Sequence, residues 1–342
     1  MIQNSMVRRM LAAVVAAMAS LFLAASAAAA TNRDATASAV DIGGLLGELE
    51  GLADLGNLIQ QLSREFVNPT LGTVSYEGYL AHGGYGRRYV AIRPLIATPD
   101  APVLVLLHPR EETPERMANI TAAGRLAALH GAWVLLPEAV NGYWNDSPRP
   151  NEVDDVGFLI ALLDAVVPTH QLDAGRVYAA GYSNGGYMAQ RLACERAERI
   201  AGIATVGAPL RASVADICPL SRPMPVIQFH GSADLIVPYA GDGLRPGALE
   251  GSRYWAARGG CTADVSSSST LPNRERRDKT QVVKTRHTGC PKTVEIRLYT
   301  VHGGGHTWPG SSQAAYTGLF GRTSGDVDAT LELWSALVPF SR

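Results

Sequence analysis

The sequence predicts an α/β domain with a mostly parallel sheet that is covered by helices on both faces. Short apolar runs of strand length, such as VLVLLH (103–108) and AWVLLPE (132–138), alternate with longer helical segments, such as 152–167. Strands that alternate with helices form parallel sheets, because each connecting helix packs back onto the sheet. Of the 342 residues, 46% are hydrophobic, which is enough for one large core.

The elements follow in order from residue 74. Two strands, 74–80 and 87–93, flank the glycine turn HGGYG. Further strands are expected at 103–108, 132–138, 176–180, 203–209, 226–231 and 294–301, and helices at 114–130, 152–167, 185–198, 247–258 and 326–338. We expect the second of these helices to end at Pro168. The segment 262–290 contains SSSST and RERRDK, is too polar for a core, and predicts a solvated loop.

The first 30 residues have the three-part layout of a secretory signal. A basic pair, RR, precedes an apolar run from Met10 to Ala25, and small residues continue to Ala30. A retained membrane anchor is the alternative, but the run is short and rich in alanine for a span of about 20 residues. We therefore expect cleavage near Ala28 or Ala30, a secreted or periplasmic protein, and no membrane span in the mature chain.

Between the signal and the α/β domain, residues 31–70 are expected to form a tether and an N-terminal helical segment. Residues 42–66 place leucines at helical spacing before Pro69. We favour a helix that packs on the catalytic domain, 71–342, over a surface-docking segment. The formal net charge of -1 gives no electrostatic reason to expect a nucleic-acid partner.

Four cysteines lie beyond the predicted signal: Cys194, Cys218, Cys261 and Cys290. An even number in an exported chain suggests disulfides, and the absence of a CxxC pair argues against a zinc site. Four cysteines allow three pairings. Proximity in sequence favours Cys194–Cys218 and Cys261–Cys290.

The pentapeptide GYSNG places Ser183 between two glycines, after the strand RVYAA and before a helix. This arrangement is typical of a nucleophile elbow, in which a tight strand-to-helix turn exposes the serine. The next amide, that of Asn184, would lie at the helix N-terminus and could donate to an oxyanion. The alternative is a glycine-rich structural turn.

A serine hydroxyl needs a base, and the chain supplies one together with an acid. Asp234 follows the strand VIQFHG, and His306 lies on a glycine-rich loop after VEIRLYTV. The order serine, acid, histidine is that of α/β-hydrolases. Each of the three residues follows a predicted strand, so we expect a catalytic triad.

Four other residues compete for these roles. His302 lies nearer its strand than His306, and we expect it to be structural. We expect His230 and His108, at strand ends, to brace loops by hydrogen bonds. Asp242 is the weaker acid because DG is typical of a turn.

Five segments extend the pattern along the chain: VDDVGFL, RVYAAGYSNGGYMAQRLACE, FHGSADLIVPY, GGGHTWPG and DVDAT. Together they resemble the secreted polyhydroxybutyrate depolymerase and feruloyl esterase group of α/β-hydrolases, of the carbohydrate esterase family one type. The likeness covers about residues 74–340. It implies the α/β-hydrolase fold and a triad of Ser183, Asp234 and His306.

The sequence departs from this family after the strand LVLLH. The family usually has glycine there, whereas this chain has LLHPRE. Pro109 has no N–H, so the second oxyanion donor would be the amide of Arg110. The loop is therefore either a rebuilt oxyanion hole or a damaged one. The second case leaves open a non-catalytic secreted binding protein on a hydrolase scaffold.

The expected function is a secreted serine esterase that hydrolyses hydroxyalkanoate, feruloyl or acetyl esters without a metal or cofactor. A serine peptidase of the same fold is a further alternative. Trp308, Tyr182 and Trp144 lie near the elbow or predicted loop tips and are candidates for the substrate cleft. Packing in the core is the competing explanation for such aromatic residues.

Overall fold

The computed structural model describes residues 65–147, 152–243, 245–312 and 320–342. All of them belong to one compact unit, Leu58–Arg342. The predicted signal, the tether and most of the N-terminal helical segment lie outside the described residues. No helix in the described ranges is long and apolar enough to cross a membrane.

The described residues form twelve strands and seven α-helices. The strands are β1 (Thr73–His82), β2 (Tyr85–Pro94), β3 (Val103–Leu107), β4 (Trp133–Pro137), β5 (Val177–Tyr182), β6 (Gly202–Val206), β7 (Val226–Gly231), β8 (Gly241–Asp242), β9 (Arg245–Pro246), β10 (Ser266–Thr270), β11 (Gln281–His287) and β12 (Ile296–His302). The helices are α1 (Pro114–Thr121), α2 (Gly124–His130), α3 (Asp155–Thr169), α4 (Asn184–Glu195), α5 (Ala212–Ala215), α6 (Ala248–Arg258) and α7 (Ala329–Leu337).

Ten of the strands form one sheet in the order β1-β2-β4-β3-β5-β6-β7-β12-β11-β10. The six central strands, β4 to β12 in that order, are parallel. Antiparallel strands extend the sheet at both ends: β1 and β2 at one, β11 and β10 at the other. This architecture confirms the predicted α/β-hydrolase fold.

The central strands are largely buried because helices cover both faces of the sheet. All five residues of β3 are buried. Val103, Val105 and Leu107 lie in one core cluster, whereas Leu104 and Leu106 lie in the other. Alternate side chains of a strand point to opposite faces, so this single strand contributes to both cores.

Three sequence predictions about individual elements are wrong. The segment 262–290 contains β10 and β11 rather than a loop, and all five residues of β10 are exposed. The sequence of such an edge strand is polar because neither of its faces is buried. The expected helix 114–130 is two helices, separated where Ala122 adopts the left-handed conformation (φ 47). Helix α3 continues past Pro168 to Thr169, because a proline in the last turn removes few hydrogen bonds.

Both disulfides join the cysteines that proximity favoured. Cys194–Cys218 links the last turn of α4 to the segment after α5. Cys261–Cys290 closes the base of the β10–β11 hairpin over a separation of 29 residues. Beside it, the Thr262 amide donates to the Thr288 carbonyl over 3.1 Å. The second disulfide therefore ties a polar edge hairpin that has little apolar surface of its own to bury.

Removal of this second disulfide should destabilise the protein. We expect Cys261→Ala/Cys290→Ala to lower the free energy of unfolding by about 2–4 kcal/mol, because the bridge limits the freedom of the unfolded chain. Urea denaturation of the mature protein measures the change. Ser267→Ala, on exposed β10, is the control and should change stability by less than about 0.5 kcal/mol. Equal stability of the double variant and the control would contradict this expectation.

Candidate active site

Ser183 occupies the turn between β5 and α4 in a strained backbone conformation. Its φ of 51° and ψ of -119° are rarely adopted by a residue with a side chain. Two hydrogen bonds hold the turn. The Ser183 amide donates to the Val206 carbonyl (2.9 Å), and the Ser183 carbonyl accepts from the Tyr187 amide (3.0 Å). The predicted elbow geometry is therefore present, and neighbouring structure maintains the strain.

The two glycines of GYSNG are required by close backbone contacts. A Cβ atom on Gly181 would lie 2.2 Å from the backbone carbon of Gly185. A Cβ atom on Gly185 would lie 2.2 Å from the carbonyl oxygen of Leu107 in β3. Real Cβ atoms do not approach backbone this closely, so α4 can start at this point only if both positions lack side chains.

The side chain of Asn184 fastens the loop after β4 to the elbow. Its Oδ1 accepts from the Trp144 amide (2.8 Å), and its Nδ2 donates to the Trp144 carbonyl (3.1 Å) and to Asp146 Oδ2 (2.8 Å). The Asn184 amide is the first of α4, where helix geometry provides no internal acceptor. Asn184 thus offers its amide and also orders the loop after β4. Sequence reasoning missed this second role because Asn184 and Trp144 are 40 positions apart.

His108 fixes the peptide that carries the second candidate donor. It is fully buried, and its Nε2 accepts from the Ala139 amide (3.0 Å), which places the ring proton on Nδ1. Nδ1 then donates to the Pro109 carbonyl (2.7 Å). In a trans peptide the N–H points opposite to the C=O, so the Arg110 N–H points away from the His108 ring. Burial lowers the pKa of His108 to about 4, so the ring remains neutral.

His306 and Asp234 form a buried pair beside the elbow. His306 Nδ1 lies 2.7 Å from Asp234 Oδ2, and the two residues are 2% and 5% exposed. Asp234 Oδ1 accepts from the amides of Ile236 (2.9 Å) and Val237 (2.8 Å), which hold the carboxylate in place. Since a carboxylate only accepts, the His306 proton is on Nδ1, and Nε2 is free to act as a base.

The carboxylate of Asp234 remains ionised although it is buried. Burial is the largest influence and acts to raise its pKa. Hydrogen bonds from His230, His306 and the Val237 amide outweigh burial and hold the pKa well below its usual range. His230 Nε2 also donates to the Val237 carbonyl (2.8 Å), which is the loop-bracing role expected for it.

Gly207 and Tyr182 position the imidazole of His306. The Tyr182 hydroxyl donates to the His306 carbonyl (2.5 Å), and the two rings lie 5.2 Å apart. Gly207 has a φ of 60°, and a Cβ atom there would lie 2.9 Å from His306 Cε1. Sequence reasoning missed Gly207. The only signal was a glycine inside the predicted strand 203–209, where an isolated glycine can mark a close backbone approach.

Two cavities meet at Ser183. The smaller, about 260 Å³, is lined by His306, and the larger, about 970 Å³, lies on the side of the 140–147 loop. Tyr182 and Trp308 line the smaller cavity and Trp144 lines the larger, but all three are at most 5% exposed. They form cavity walls and are packed in the core at the same time.

Two of the four competing residues, His302 and Asp242, lie apart from this arrangement. His302 is exposed at the end of β12, and Asp242 pairs with Arg245 on the β8–β9 turn. Across the ranges that the structure describes, no group of three or more His, Cys, Asp and Glu residues could hold a metal ion.

Known proteins share parts of this chain. Residues 88–215 match the family model described as Esterase PHB depolymerase. A putative esterase, NocK, from Nocardia uniformis subsp. tsuyamanensis is 29% identical over an alignment of 247 residues, and the match covers 64% of this chain and 70% of NocK. Feruloyl esterase B from Piromyces equi is 29% identical over an alignment of 222 residues, and the match covers 60% of this chain and 39% of that protein. The chain thus spans well under two thirds of the second relative.

A solved structure has the same fold. The acetyl xylan esterase from Aspergillus awamori superimposes with a TM-score of 0.51 and 14% identity, over 68% of this chain and 94% of the other. Fold and site geometry define an α/β-hydrolase. The family-model match and the relatives named esterases support the resemblance of this chain to the esterase group of that fold. The family resemblance found in the sequence is confirmed at this level.

The contact between Gly207 and His306 leads to a test. We expect Gly207→Ala to lower kcat/KM for an aryl ester by about 100-fold, because the new methyl group displaces the imidazole. Gly131→Ala is the matched control: Gly131 also has a positive φ (66°), but its Cβ would meet nothing within 4 Å. Both variants should lose about 1–2 kcal/mol of stability from backbone strain.

Steady-state kinetics and thermal denaturation of the two variants separate the two effects. Equal kcat/KM losses in Gly207→Ala and Gly131→Ala would show that the loss comes from strain and not from displacement of His306.

Proposed function

We propose that this protein is a secreted serine esterase in which Ser183, His306 and Asp234 form the catalytic triad. The observation that carries the proposal is the strained elbow at Ser183 on the same cavity as His306, whose Nδ1 is held by Asp234. Strained backbone of this kind persists only where the surrounding contacts hold it, and it is concentrated at functional sites.

The reaction would proceed through an acyl-enzyme. Nε2 of His306 takes the Ser183 proton as Oγ attacks the ester carbonyl carbon. The resulting oxyanion accepts from the amides of Asn184 and Arg110. His306 then gives its proton to the leaving alcohol, and water repeats the sequence to release the acid. Asp234 remains ionised and stabilises the imidazolium.

The fixed peptide between Pro109 and Arg110 supports a working oxyanion hole. The Pro109 carbonyl is held by His108 Nδ1 and also accepts from the Glu112 amide (3.3 Å). Within the described residues the Arg110 amide donates to no acceptor, and Arg110 lines both cavities. This arrangement favours an enzyme over a binding protein on the same scaffold.

Substrate and location rest on two kinds of support. The relatives are named feruloyl and acetylxylan esterases, and the family model names a polyhydroxybutyrate depolymerase. We therefore propose feruloyl, acetyl or hydroxyalkanoate esters over the amides of a peptidase. Two disulfides and the N-terminal RR-plus-apolar layout support export, because disulfides persist in oxidising compartments.

The triad is tested by substitution. We expect Ser183→Ala and His306→Ala to lower kcat by about 10⁴-fold or more, because each removes a group that acts in bond making. Asp234→Asn should lower kcat by about 10⁴-fold, since the wrong imidazole tautomer is stabilised. The assay is hydrolysis of p-nitrophenyl acetate, with circular dichroism to verify folding.

His302→Ala is the control for these variants, because His302 is an exposed histidine four residues from His306. Its kcat should remain within about twofold of the wild type. An inactive His302→Ala together with an active His306→Ala would show that the base is His302 and not His306.

The oxyanion loop is tested by Pro109→Gly, which introduces the residue usual in the family. The peptide is already held by His108, so we expect kcat to change by less than about tenfold, or to fall because the loop gains freedom. A rise of about 100-fold or more would mean that the natural loop lacks a donor, since one missing donor costs about that much. Such a rise would favour the binding protein.

A further inference from the structure

The nucleophile separates two cavities of different chemistry. Ser183, Arg110 and Ile236 line both cavities, so an ester bound at Ser183 extends into one cavity on each side. The acyl part and the alcohol part of the substrate must therefore occupy different cavities. Their assignment depends on where the proton donor lies.

His306 determines which cavity receives the alcohol. In the proposed mechanism the imidazole gives its proton to the leaving alcohol oxygen, so that oxygen must lie beside Nε2. Of the two cavities, only the smaller has His306 among its described lining residues. Its other walls are mainly apolar, with Ile120, Trp308 and Phe320 among them. The smaller cavity is therefore suited to a compact alcohol.

The larger cavity is suited to an acid rich in oxygen atoms. Four guanidinium groups line it, those of Arg87, Arg110, Arg211 and Arg245. Each guanidinium has five N–H donors, and Arg211 uses one of them on Asp146 Oδ2 (2.8 Å). Tyr85 and Tyr143, which are 46% and 38% exposed, add aromatic surface. Such walls donate to hydroxyl and carbonyl oxygens and stack on rings.

We infer that the ester lies across Ser183 with its acyl part in the larger, polar cavity and its alcohol part in the smaller, apolar one. The preferred substrates are then esters of large, oxygen-rich carboxylic acids with compact alcohols. This inference rests on the proposed serine-esterase function and narrows its substrate range. Acetylated sugars are disfavoured, because their acyl part is small and their alcohol part is large.

Two esters that carry the same sugar on opposite sides test the orientation. Methyl galacturonate has the sugar on the acyl side, and 6-O-acetylgalactose has it on the alcohol side. We expect kcat/KM of the wild type to be about tenfold or more higher for methyl galacturonate, the usual effect of one misplaced group. A ratio of one, or a preference for the acetylated sugar, would overturn the assignment.

Two matched variants give an independent readout. Val140 lines only the larger of the two cavities and Ile120 only the smaller, and both are partly exposed aliphatic residues. Val140→Trp should reduce the methyl galacturonate preference by about tenfold, whereas Ile120→Trp should increase it. Changes in the reverse directions would place the acyl part in the smaller cavity and the alcohol part in the larger one, which overturns the inference. Equal changes in the two variants would overturn it as well.

Pre-steady-state kinetics distinguish this failure from a failure of the proposed function. With the p-nitrophenyl ester of galacturonic acid, p-nitrophenolate leaves first and only the acyl part remains on Ser183, so deacylation should slow more in Val140→Trp than in Ile120→Trp. The opposite order refutes the orientation but leaves the serine esterase intact. Absence of hydrolysis and of an acyl-enzyme with any of these esters would refute the proposed function and the inference together.

Discussion

The contact between the first turn of α4 and strands β3 and β5 is the constraint on which the site depends. Gly181 and Gly185 meet backbone to backbone, and Gly185 also lies against the Leu107 carbonyl. This approach leaves no room for an ordinary turn, so Ser183 must adopt a positive φ. The serine is held, half-buried, at the carboxyl end of the central strand β5, because the chain on both sides of it is packed too closely to move.

The same contact brings the two candidate oxyanion donors together. Leu107 is followed by His108, whose ring holds the Pro109 carbonyl and whose own carbonyl accepts from the Trp144 indole (3.0 Å). Trp144 in turn is bound through its backbone by the Asn184 side chain. One network thus connects the peptide of Arg110 to the first residue of α4. Pro109 is accommodated because the His108 ring, and not the residue type at position 109, orients the peptide between Pro109 and Arg110.

The sequence predicted the central sheet well because its strands are buried on both faces, so the apolar runs at β3 and β4 are unmistakable. It predicted Ser183, Asp234 and His306 as candidates because each lies just beyond the carboxyl end of a predicted strand. Strand β10 was missed because an edge strand in water has no apolar pattern to read. Gly207 and the side chain of Asn184 were missed because their roles are contacts with residues far away in sequence, which local patterns do not record.

A covalent probe can establish whether Ser183 is the nucleophile. The mature protein would be treated with diethyl p-nitrophenyl phosphate, digested, and mapped by mass spectrometry. We expect one diethylphosphoryl group per chain, on the peptide that contains Ser183, together with complete loss of esterase activity. Modification of another residue, or full ester turnover by protein that is phosphorylated on Ser183, would contradict it.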